Sequence, residues 1–569
     1  MDGARGQPAL RPPQAEPTGR RLTVQALIDI DTRHPCGRIE RDIYGHFLES
    51  AFFGNIEGGV LDEGSPLSEP GPGVRAGFRE DVLALCRELG IPNVRWPGGN
   101  FTSPYHWEDG IGDRSTRPRR LELAWGREES NRFGTDEFLA WCADVGAAPF
   151  LVHGCRSVDD AVRWVEYTNY AGDTAYTRRR KENGHPQPYG VRYWGIGNEP
   201  YGPWQMGHRP ATEYAAAARE HARFMRLVDP GIRLIACGSP WQQEEWTRPV
   251  LQRAGSLIDY LSLHLYGATT HPYTARAGDD DYEAVVAQPL YFEQRIQDYA
   301  HLVVELSAEA GLERPPALAL DEWNIRHLEP ADWPEPAPGA DGGTAPRELP
   351  DGSGEPRPRR LRVDRYSSRT LADALFYAGV FHTLHQTVSL PAPVTMANTV
   401  NLVNANGLLE VRPGGVVKSA SYHVWDLYQN HTGPVALPTA VEGPARTAAV
   451  RQGDNGEGDG AFATRPGVVP YLDASATLSA DGRRLHLAVV NRRRDTAIRT
   501  RIVRDGRTGA VPAVAEVRDL GADVDDLLAA NSLSAPDVVA VRHRPVVETP
   551  DGRYDFPAHS VTVLAFDLT

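Results

Sequence analysis

Residues 191–230 read VRYWGIGNEPYGPWQMGHRPATEYAAAAREHARFMRLVDP. The stretch begins with a short apolar run typical of a buried strand, which ends in the polar triplet Gly197-Asn198-Glu199. A long helical run follows and ends before Pro230, because proline cannot continue a helix. A strand joined to a helix by a polar loop is the repeating unit of folds built on a parallel sheet.

Seven similar strand candidates lie on either side of this one, and amphipathic helical runs separate them. The eight candidates are residues 42–49, 91–99, 148–154, 191–199, 232–238, 258–266, 317–324 and 394–402. Eight strands with helical crossovers predict a (β/α)8 TIM barrel. A doubly wound open sheet is the structural alternative, but no glycine-rich nucleotide turn follows the first strand.

The rest of the chain differs in composition from this alternating region. We expect residues 1–20 to be a disordered leader and residues 21–36 to carry an N-terminal strand with distant partners. The barrel should then span 37–405, with a Pro/Gly-rich insertion at 328–365 near its mouth. Short strands separated by turns over 406–569 predict a C-terminal β-sandwich that the N-terminal strand joins.

Composition and charge exclude several classes of function. The chain has 569 residues, 41% of them hydrophobic, and a net charge of −15, which disfavours nucleic acid or an anionic membrane as a partner. We find no apolar signal-peptide core and no membrane-length apolar run, and the five cysteines are scattered. These features predict a cytoplasmic protein in a reducing compartment with a neutral substrate.

Two glutamates stand at strand ends, where barrel enzymes carry their function. Glu199 ends the fourth strand, and Glu322 ends the seventh in the sequence ALALDEWN. A single glutamate in such a place is more often a surface ion-pair partner. Two of them flanked by Asn and Trp fit glycoside hydrolysis, which needs one carboxyl group as acid/base and another as nucleophile or base.

The other strand ends add polar side chains where a purely structural barrel would have valine and leucine, so we predict one polar site at the mouth. These residues are Glu49, Arg95, Asn100, His153, His264, Tyr266, Asn398 and Asn401. No HExxH or CxxC spacing occurs, so we expect no catalytic metal and no cofactor. A GxSxG nucleophile elbow is also absent, which argues against a serine hydrolase.

Several blocks carry a family resemblance. IYGHFLE, VRWPGGNF, YHWEDGIG, PRRLELAW, NRFGTDEF, GIGNEPYGPWQMGH, LSLHLY and ALDEWN resemble, in this order, the signature blocks of glycoside hydrolase family 51. The main members of that family are α-L-arabinofuranosidases. The resemblance implies a retaining exo-enzyme that removes arabinofuranosyl units from arabino- or arabinoxylo-oligosaccharides derived from hemicellulose, and it implies a homo-oligomer, often a hexamer.

The resemblance also implies roles for the two glutamates and their neighbours. Glu199 would be the acid/base and Glu322 the nucleophile, with Arg95 and Tyr266 as hydrogen-bond donors that keep Glu322 ionised. We expect the pKa of Glu199 to be raised by the charge of Glu322, so that Glu199 is protonated near neutral pH.

The remaining matching positions would bind the sugar. Asn198 would hold the 2-hydroxyl, and Glu49 and Asn100 the other hydroxyls of the furanose. Trp125 and Trp204 would supply apolar walls, although plain core packing is the alternative for both tryptophans.

One departure from the family pattern concerns the substrate. Asn401 occupies a position where the family usually has Gln, so a hydroxyl contact is lost or bridged by water. Three alternatives stay open at this point: an endo-acting glucanase, a xylan-directed enzyme on the same site, and a carbohydrate-binding protein without catalysis. The sandwich could bind polysaccharide, but we favour a structural role.

Overall fold

The computed structural model describes most of the chain. The described residues are 25–270, 279–328, 364–365, 367–453, 463–506, 509–522, 526–544 and 552–568. The predicted leader at 1–20 lies outside them, as do residues 329–363 of the predicted insertion at 328–365.

Eight parallel strands close into a barrel, and each of them overlaps one predicted strand. In chain order they are Gly45–Phe47, Asn93–Trp96, Ala148–His153, Tyr193–Ile196, Arg233–Cys237, Tyr260–Thr270, Ala317–Leu328 and Val394–Thr399. The ring closes because the eighth strand pairs with the first, so the prediction of a TIM barrel is confirmed and an open sheet is excluded.

Apolar side chains that alternate in direction along the strands fill the interior of the barrel. In the third strand, Phe150 and Val152 belong to an apolar cluster inside the barrel, whereas Leu151 belongs to the larger core beneath the helices. Neighbouring side chains of a strand point to opposite faces, so one apolar strand supplies both cores. This packing makes the barrel a filled scaffold and leaves the strand ends to carry polar side chains.

The helices surround the barrel. They are Glu80–Leu89, Thr135–Val145, Val158–Asn169, Ala175–Glu182, Ala211–Val228, Gln243–Ala254, Asp279–Glu309, Leu371–Gln386 and Ala420–His431. Helix Glu80–Leu89 illustrates how local sequence sets the two ends of a helix. Two acidic residues begin it, and Gly90, at φ +73°, ends it in the left-handed conformation that glycine adopts readily. Within the described part of the chain, no helix is long and apolar enough to cross a lipid bilayer.

Two facing sheets form the C-terminal β-sandwich. The smaller sheet contains Thr439–Glu442, Ala26–Ile30, Ile498–Arg504, Gly509–Ala510 and Arg553–Phe556. The larger sheet contains Gly37–Arg38, Val435–Leu437, Leu472–Leu478, Arg484–Asn491, Ser560–Asp567, Val514–Ala522 and Val539–Arg544. Ala26–Ile30 lies between two strands of the smaller sheet, as the sequence predicts for the N-terminal strand.

The larger sheet also packs on the barrel. Leu487 and Val489 face the sandwich core, whereas Ala488 and Val490 join the core shared with the barrel helices. Helix Ala420–His431, which lies inside the range 406–569 predicted for the sandwich, packs against both the barrel and this sheet. The barrel helices and the larger sheet of the sandwich therefore share one hydrophobic core.

Three short hairpins complete the described strands. Their pairs are Arg120–Leu121 with Glu128–Glu129, Leu409–Arg412 with Gly415–Lys418, and Ala445–Arg451 with Thr464–Pro470.

Candidate active site

Glu199 is aimed by an unusual turn at the end of the fourth barrel strand. Gly197 has φ +85° and Glu199 has φ +44°, a left-handed conformation that a residue with a side chain adopts at a cost of about 1–3 kcal/mol. The N–H of Gly202 donates a hydrogen bond of 2.8 Å to the Glu199 carbonyl and closes the turn. The backbone strain thus serves to direct the Glu199 carboxyl group into the mouth.

Glu322 lies in the seventh strand between two fixed donors. The Arg95 guanidinium donates from Nη1 to Oε1 at 2.8 Å, and the Tyr266 hydroxyl donates to Oε2 at 2.8 Å. Arg95 belongs to the second strand and Tyr266 to the sixth, so the barrel itself sets both contacts. Each carboxylate oxygen therefore has its own donor, and the two donors hold the Glu322 carboxyl group in one orientation.

Arg95 is the centre of a buried network. Besides Glu322, it pairs with Asp321 at 3.2 Å and donates from Nη2 to Oδ1 of Asn198 at 2.7 Å. Burial lowers the pKa of Arg95, but the charges of Asp321 and Glu322 outweigh burial and raise it. The Asn198 Nδ2 group is buried and has no hydrogen-bond partner among the described residues, so it is free to donate to a ligand.

Glu199 has three hydrogen-bond partners, and two of them, His264 and Tyr201, are buried. His264 Nδ1 lies 2.8 Å from Oε1, the Tyr201 hydroxyl donates to Oε1 at 3.1 Å, and Trp204 Nε1 donates to Oε2 at 3.2 Å. Burial raises the pKa of Glu199, but the hydrogen bond and charge of His264, followed by the charge of Arg326, outweigh it and the pKa is lowered. The expectation of a raised pKa for Glu199 is therefore wrong, because the sequence does not reveal that His264 lies beside it.

His264 lies among three carboxyl groups. Its Nδ1 is 3.6 Å from Oε2 of Glu322, and its Nε2 is 3.4 Å from Oδ1 of Asp321. Burial lowers the pKa of His264, but the charges of Glu322 and Asp321 and the hydrogen bonds to Asp321 and Glu199 raise it to about 10. The imidazolium therefore holds a proton next to Glu199.

The two glutamates are close together. One side-chain nitrogen or oxygen from each of Glu199, His264 and Glu322 lies within 4.8 Å of the other two. Such a spacing suits a pair of carboxyl groups that act on one sugar, and it is also short enough to hold a metal ion.

Glu49 is a buried residue that lies just after the first barrel strand, Gly45–Phe47. Its Oε1 accepts hydrogen bonds from the Phe101 N–H at 2.9 Å and from Trp125 Nε1 at 3.0 Å. Burial, followed by the charge of Glu322, raises the pKa of Glu49 to about 8. At neutral pH the carboxyl group is thus mostly protonated and can donate a hydrogen bond.

The glycines of the block VRWPGGNF allow these side chains to meet. A Cβ added to Gly98 would clash with the Glu49 side chain, and one added to Gly99 would lie 2.9 Å from Oε1 of Glu322. Glycine at both positions leaves room for the two carboxyl groups.

Three other residues, Asn100, Trp125 and Trp204, were predicted from the sequence to bind the sugar. Asn100 accepts a hydrogen bond from Gln205 Nε2, which ties it to the loop after Glu199. Trp204 is 36% exposed and so is not a core residue, whereas Trp125 packs edge-on against Phe52, with ring centroids 4.6 Å apart.

Asn401 stands apart from the network. Its Nδ2 donates to the Ala405 carbonyl at 3.2 Å, and its buried Oδ1 has no partner within the described ranges. No hydrogen bond between described residues joins it to the other predicted site residues.

From the sequence, His264 was placed among the polar residues at the mouth without being given a role, and Tyr201 and Asp321 were not named as site residues. His264 and Asp321 do lie in quoted blocks at strand ends, so their position was a usable signal. Tyr201 lies two residues after Glu199 in a loop, where residue type and spacing alone indicate nothing.

A parallel barrel with carboxyl groups at the ends of its fourth and seventh strands, set among amide and indole donors, defines a glycoside hydrolase. Two family models match the chain: the α-L-arabinofuranosidase 1 domain over residues 85–284 and the α-L-arabinofuranosidase C-terminal domain over residues 321–560. The chain belongs to the α-L-arabinofuranosidases of glycoside hydrolase family 51.

Individual relatives agree with this assignment. α-L-Arabinofuranosidase C of Emericella nidulans is 34% identical over 560 residues, which cover 93% of this chain and 96% of the relative. An intracellular exo-α-(1→5)-L-arabinofuranosidase of Streptomyces lividans is 34% identical over 406 residues, 68% of this chain and 55% of the relative. The α-L-arabinofuranosidase of Thermotoga maritima, solved as an arabinose complex, superposes with a TM-score of 0.77 at 34% identity over 95% of this chain and all of that one.

Proposed function

We propose that the protein is a retaining exo-α-L-arabinofuranosidase that removes terminal arabinofuranosyl units from arabino- or arabinoxylo-oligosaccharides by double displacement. The observation that carries this proposal is the short gap between Glu199 and Glu322, which have carboxylate oxygens within 4.8 Å of each other. Retaining glycosidases have carboxyl groups about 5–5.5 Å apart, whereas inverting ones need roughly 6.5–9.5 Å to admit a water molecule.

In the first step, Glu322 attacks the anomeric carbon and the bond to the leaving oxygen breaks. The donors Arg95 and Tyr266 keep Glu322 anionic and fix its orientation, so little reorganisation is needed at the moment of attack. The product of this step is a covalent glycosyl-enzyme on Glu322.

Glu199 supplies the proton for the leaving oxygen. In the free enzyme the proton of the Glu199–His264 pair rests on His264, and it can cross the 2.8 Å contact to Glu199 as the leaving oxygen gains charge. In the second step Glu199 accepts a proton from water, and the hydroxide displaces Glu322 from the sugar.

The sugar itself is recognised by the polar groups around the glutamates. We propose that Asn198 Nδ2 donates to the 2-hydroxyl, that Glu49 and Asn100 bind the other hydroxyls, and that Trp125 and Trp204 supply the walls. The Nδ2 group of Asn198 has no partner among the described residues, and this supports its role, because a buried donor without a partner costs free energy until a ligand satisfies it. Asn401, bonded to its own loop, is proposed to act only through water.

We propose the cellular location and the oligomeric state of the protein from its resemblance to relatives. The Streptomyces lividans relative is named as intracellular, which supports a cytoplasmic enzyme acting on imported oligosaccharides. A homo-oligomer, a hexamer by family resemblance, stays a proposal that size-exclusion chromatography with light scattering can test.

A metal-dependent enzyme is the second candidate, because Glu199, His264 and Glu322 could hold an ion. The direct ion pair of Arg95 with Glu322 argues against a dication there, since the guanidinium already compensates the carboxylate. Activity unchanged after dialysis against EDTA would support the metal-free mechanism, and activity restored by added zinc or manganese would contradict it.

The central test is hydrolysis of 4-nitrophenyl α-L-arabinofuranoside beside the β-xyloside, β-glucoside and β-galactofuranoside. We expect clear preference for the arabinofuranoside, and in methanol ¹H NMR should show the α-anomer of the methyl glycoside as the first product. The β-anomer would contradict retention. Release of free arabinose alone from arabino-oligosaccharides would support exo-action, whereas shortened oligosaccharides would indicate an endo-enzyme, and binding without turnover a carbohydrate-binding protein.

A further inference from the structure

Two partly exposed tryptophans lie together on the Glu199 side of the mouth. Trp204 Nε1 donates to Oε2 of Glu199 at 3.2 Å, and the ring centres of Trp204 and Trp241 are 5.6 Å apart. The two ring planes are inclined at 79°, so the indoles meet edge to face and form a corner with two apolar walls. The proposed reaction gives Trp241 no role.

Trp241 is packed on aromatic side chains, yet 49% of it is exposed. The Tyr201 ring lies 5.5 Å from the Trp241 ring at 86°, and Tyr201 packs in turn on the buried Trp246 at 5.5 Å. Tyr201 also donates to Oε1 of Glu199 at 3.1 Å. Two neighbours of Trp241, namely Tyr201 and Trp204, therefore bind the Glu199 carboxyl group.

The corner lies in the loops that follow the fourth and fifth barrel strands. Trp204 follows strand Tyr193–Ile196, and Trp241 follows strand Arg233–Cys237. Met206, two residues after Trp204, is exposed as well. Exposed apolar side chains scattered singly are normal, but adjacent ones beside a site at the carboxyl ends of barrel strands are typical of a ligand-binding surface.

The chemistry of the proposed reaction determines which part of the substrate lies beside this corner. The acid/base protonates the leaving oxygen, so Glu199 must lie between the arabinofuranosyl unit and the leaving sugar. Trp204 contacts Glu199 and so borders both sugars, whereas Trp241 lies one aromatic ring further from Glu199. The leaving sugar is therefore the part of the substrate that Trp241 can contact.

We propose that Trp241 is a specificity-determining residue that binds the leaving sugar in the corner with Trp204, and that this sugar is a β-xylopyranose. This inference rests on the proposed function and selects arabinoxylo-oligosaccharides over arabino-oligosaccharides. A β-xylopyranose chair carries every substituent equatorially, so both faces of its ring present axial C–H bonds that pack well on an aromatic face. An arabinofuranose ring is puckered and carries substituents on both faces, so it offers no comparable flat surface.

The experiment compares three arabinofuranosides that differ in the leaving group. They are methyl 3-O-α-L-arabinofuranosyl-β-D-xylopyranoside, methyl 5-O-α-L-arabinofuranosyl-α-L-arabinofuranoside, and α-L-arabinofuranosyl fluoride, whose leaving group is too small to contact the tryptophans. Trp241→Ala should lower kcat/KM by about tenfold on the xylopyranoside, because one aromatic contact is lost, and by no more than about twofold on the other two.

Two further variants assign this difference to the aromatic ring. Trp241→Phe keeps an aromatic face and should restore most of the activity on the xylopyranoside. Phe224→Ala, which removes an exposed aromatic side chain from helix Ala211–Val228, is the matched control and should keep the wild-type ratio between the three substrates.

Transfer to an added acceptor gives an independent readout. An acceptor sugar enters the place that the leaving sugar has vacated, because the second step is the first in reverse, with Glu199 accepting the proton of the acceptor hydroxyl. In the wild type, methyl β-D-xylopyranoside should give a higher yield of transfer product than methyl α-L-arabinofuranoside. Trp241→Ala should remove this difference.

The outcomes separate this inference from the proposed function. An equal loss on all three substrates in Trp241→Ala would assign Trp241 a structural role. A loss on the arabinofuranosyl substrate as large as that on the xylopyranoside would show that the corner does not select a pyranose. Either result would overturn the inference and leave the proposed function intact, whereas no hydrolysis of any arabinofuranoside by the wild-type enzyme would overturn both.

Discussion

Glu322 and Glu199 face each other across the barrel mouth, but their surroundings differ in kind. Glu322 has two donors, Arg95 and Tyr266, that are fixed in barrel strands. Glu199 projects from a strained turn, and its partners His264, Tyr201 and Trp204 include a side chain that is 36% exposed. A nucleophile stays ionised until it attacks, whereas an acid/base must gain and lose a proton, so the two settings agree with the roles proposed for Glu322 and Glu199.

Removing the fixed carboxylate should have the largest effect. We expect Glu322→Ala to lower kcat/KM on aryl arabinofuranosides by about 10⁴-fold or more, because no covalent intermediate can form. Added azide should then attack from the vacated face and give a glycosyl azide of inverted configuration, detectable by NMR.

The matched control for Glu322→Ala is Glu313→Ala, which removes an exposed glutamate from the loop before the seventh strand. This control should keep wild-type activity. Substantial residual activity of Glu322→Ala without azide would remove Glu322 from the role of nucleophile.

Removing the Glu199 carboxyl group should give a smaller loss of activity that depends on the substrate. Glu199→Ala should cost about 10²–10⁴-fold on oligosaccharides, because the leaving oxygen then departs without a proton. Aryl glycosides with acidic phenols need little protonation, so the first step on them should be nearly unaffected, and stopped-flow kinetics should show a burst of phenol.

Azide distinguishes the two glutamates. With Glu199→Ala the covalent intermediate still forms, so azide should give a product of retained configuration, opposite to that of Glu322→Ala. The same configuration from both variants would contradict the division of roles between them.

His264 is a positioning residue in this comparison, and its replacement should mainly alter the pH profile. In the wild type a raised pKa of about 10 keeps the imidazolium charged, so the proton stays with the pair well above neutral pH. In His264→Gln the proton can rest only on Glu199, and the basic limb of kcat/KM should move to lower pH by more than one unit. Above that limb, activity should fall about tenfold for each further pH unit.

The control for this variant is His543→Gln, which removes an exposed histidine paired with Glu516 on the sandwich. Its pH profile should match the wild type. A uniform loss of activity in His264→Gln, with the basic limb in place, would indicate a structural role instead.

The sequence predicted the scaffold far better than the electrostatics of the site. All eight barrel strands were predictable, because apolar runs between helical segments are a local signal. The sixth and seventh strands, Tyr260–Thr270 and Ala317–Leu328, extend beyond the predicted 258–266 and 317–324. Their extensions include polar residues such as Arg326, whose pairing depends on the neighbouring strand and not on local pattern.

The pKa of Glu199 shows the limit of sequence reasoning most clearly. His264 is 65 residues away in the chain, yet its Nδ1 lies 2.8 Å from Glu199 and reverses the expected direction of the shift. Residue type can suggest a charged group, but only the fold decides which charges it meets.

The smallest predicted effect concerns Glu49, a further buried carboxyl group, to which the described residues supply no ion pair of the kind that Arg95 makes with Glu322. Its pKa of about 8 in the folded protein exceeds its ordinary value of 4.5, so its contribution to stability is full below pH 4.5 and is lost as the pH rises through 8. Glu49→Gln keeps an acceptor for Phe101 and Trp125 but cannot ionise. The Tm of this variant relative to the wild type should therefore increase from pH 5 to pH 9.

The size of this change in relative Tm tests whether any positive charge or solvent stabilises the ionised form of Glu49. Each unit of pKa shift corresponds to about 1.4 kcal/mol between the two protonation states, so a few degrees of relative Tm are expected in a chain of this length. Glu128→Gln, in which an exposed carboxylate paired with Arg119 is neutralised, should show no such trend. A Tm difference for Glu49→Gln that stays constant across the pH range would mean that solvent or a nearby cation already stabilises the Glu49 anion, and the pocket wall would then be charged during catalysis.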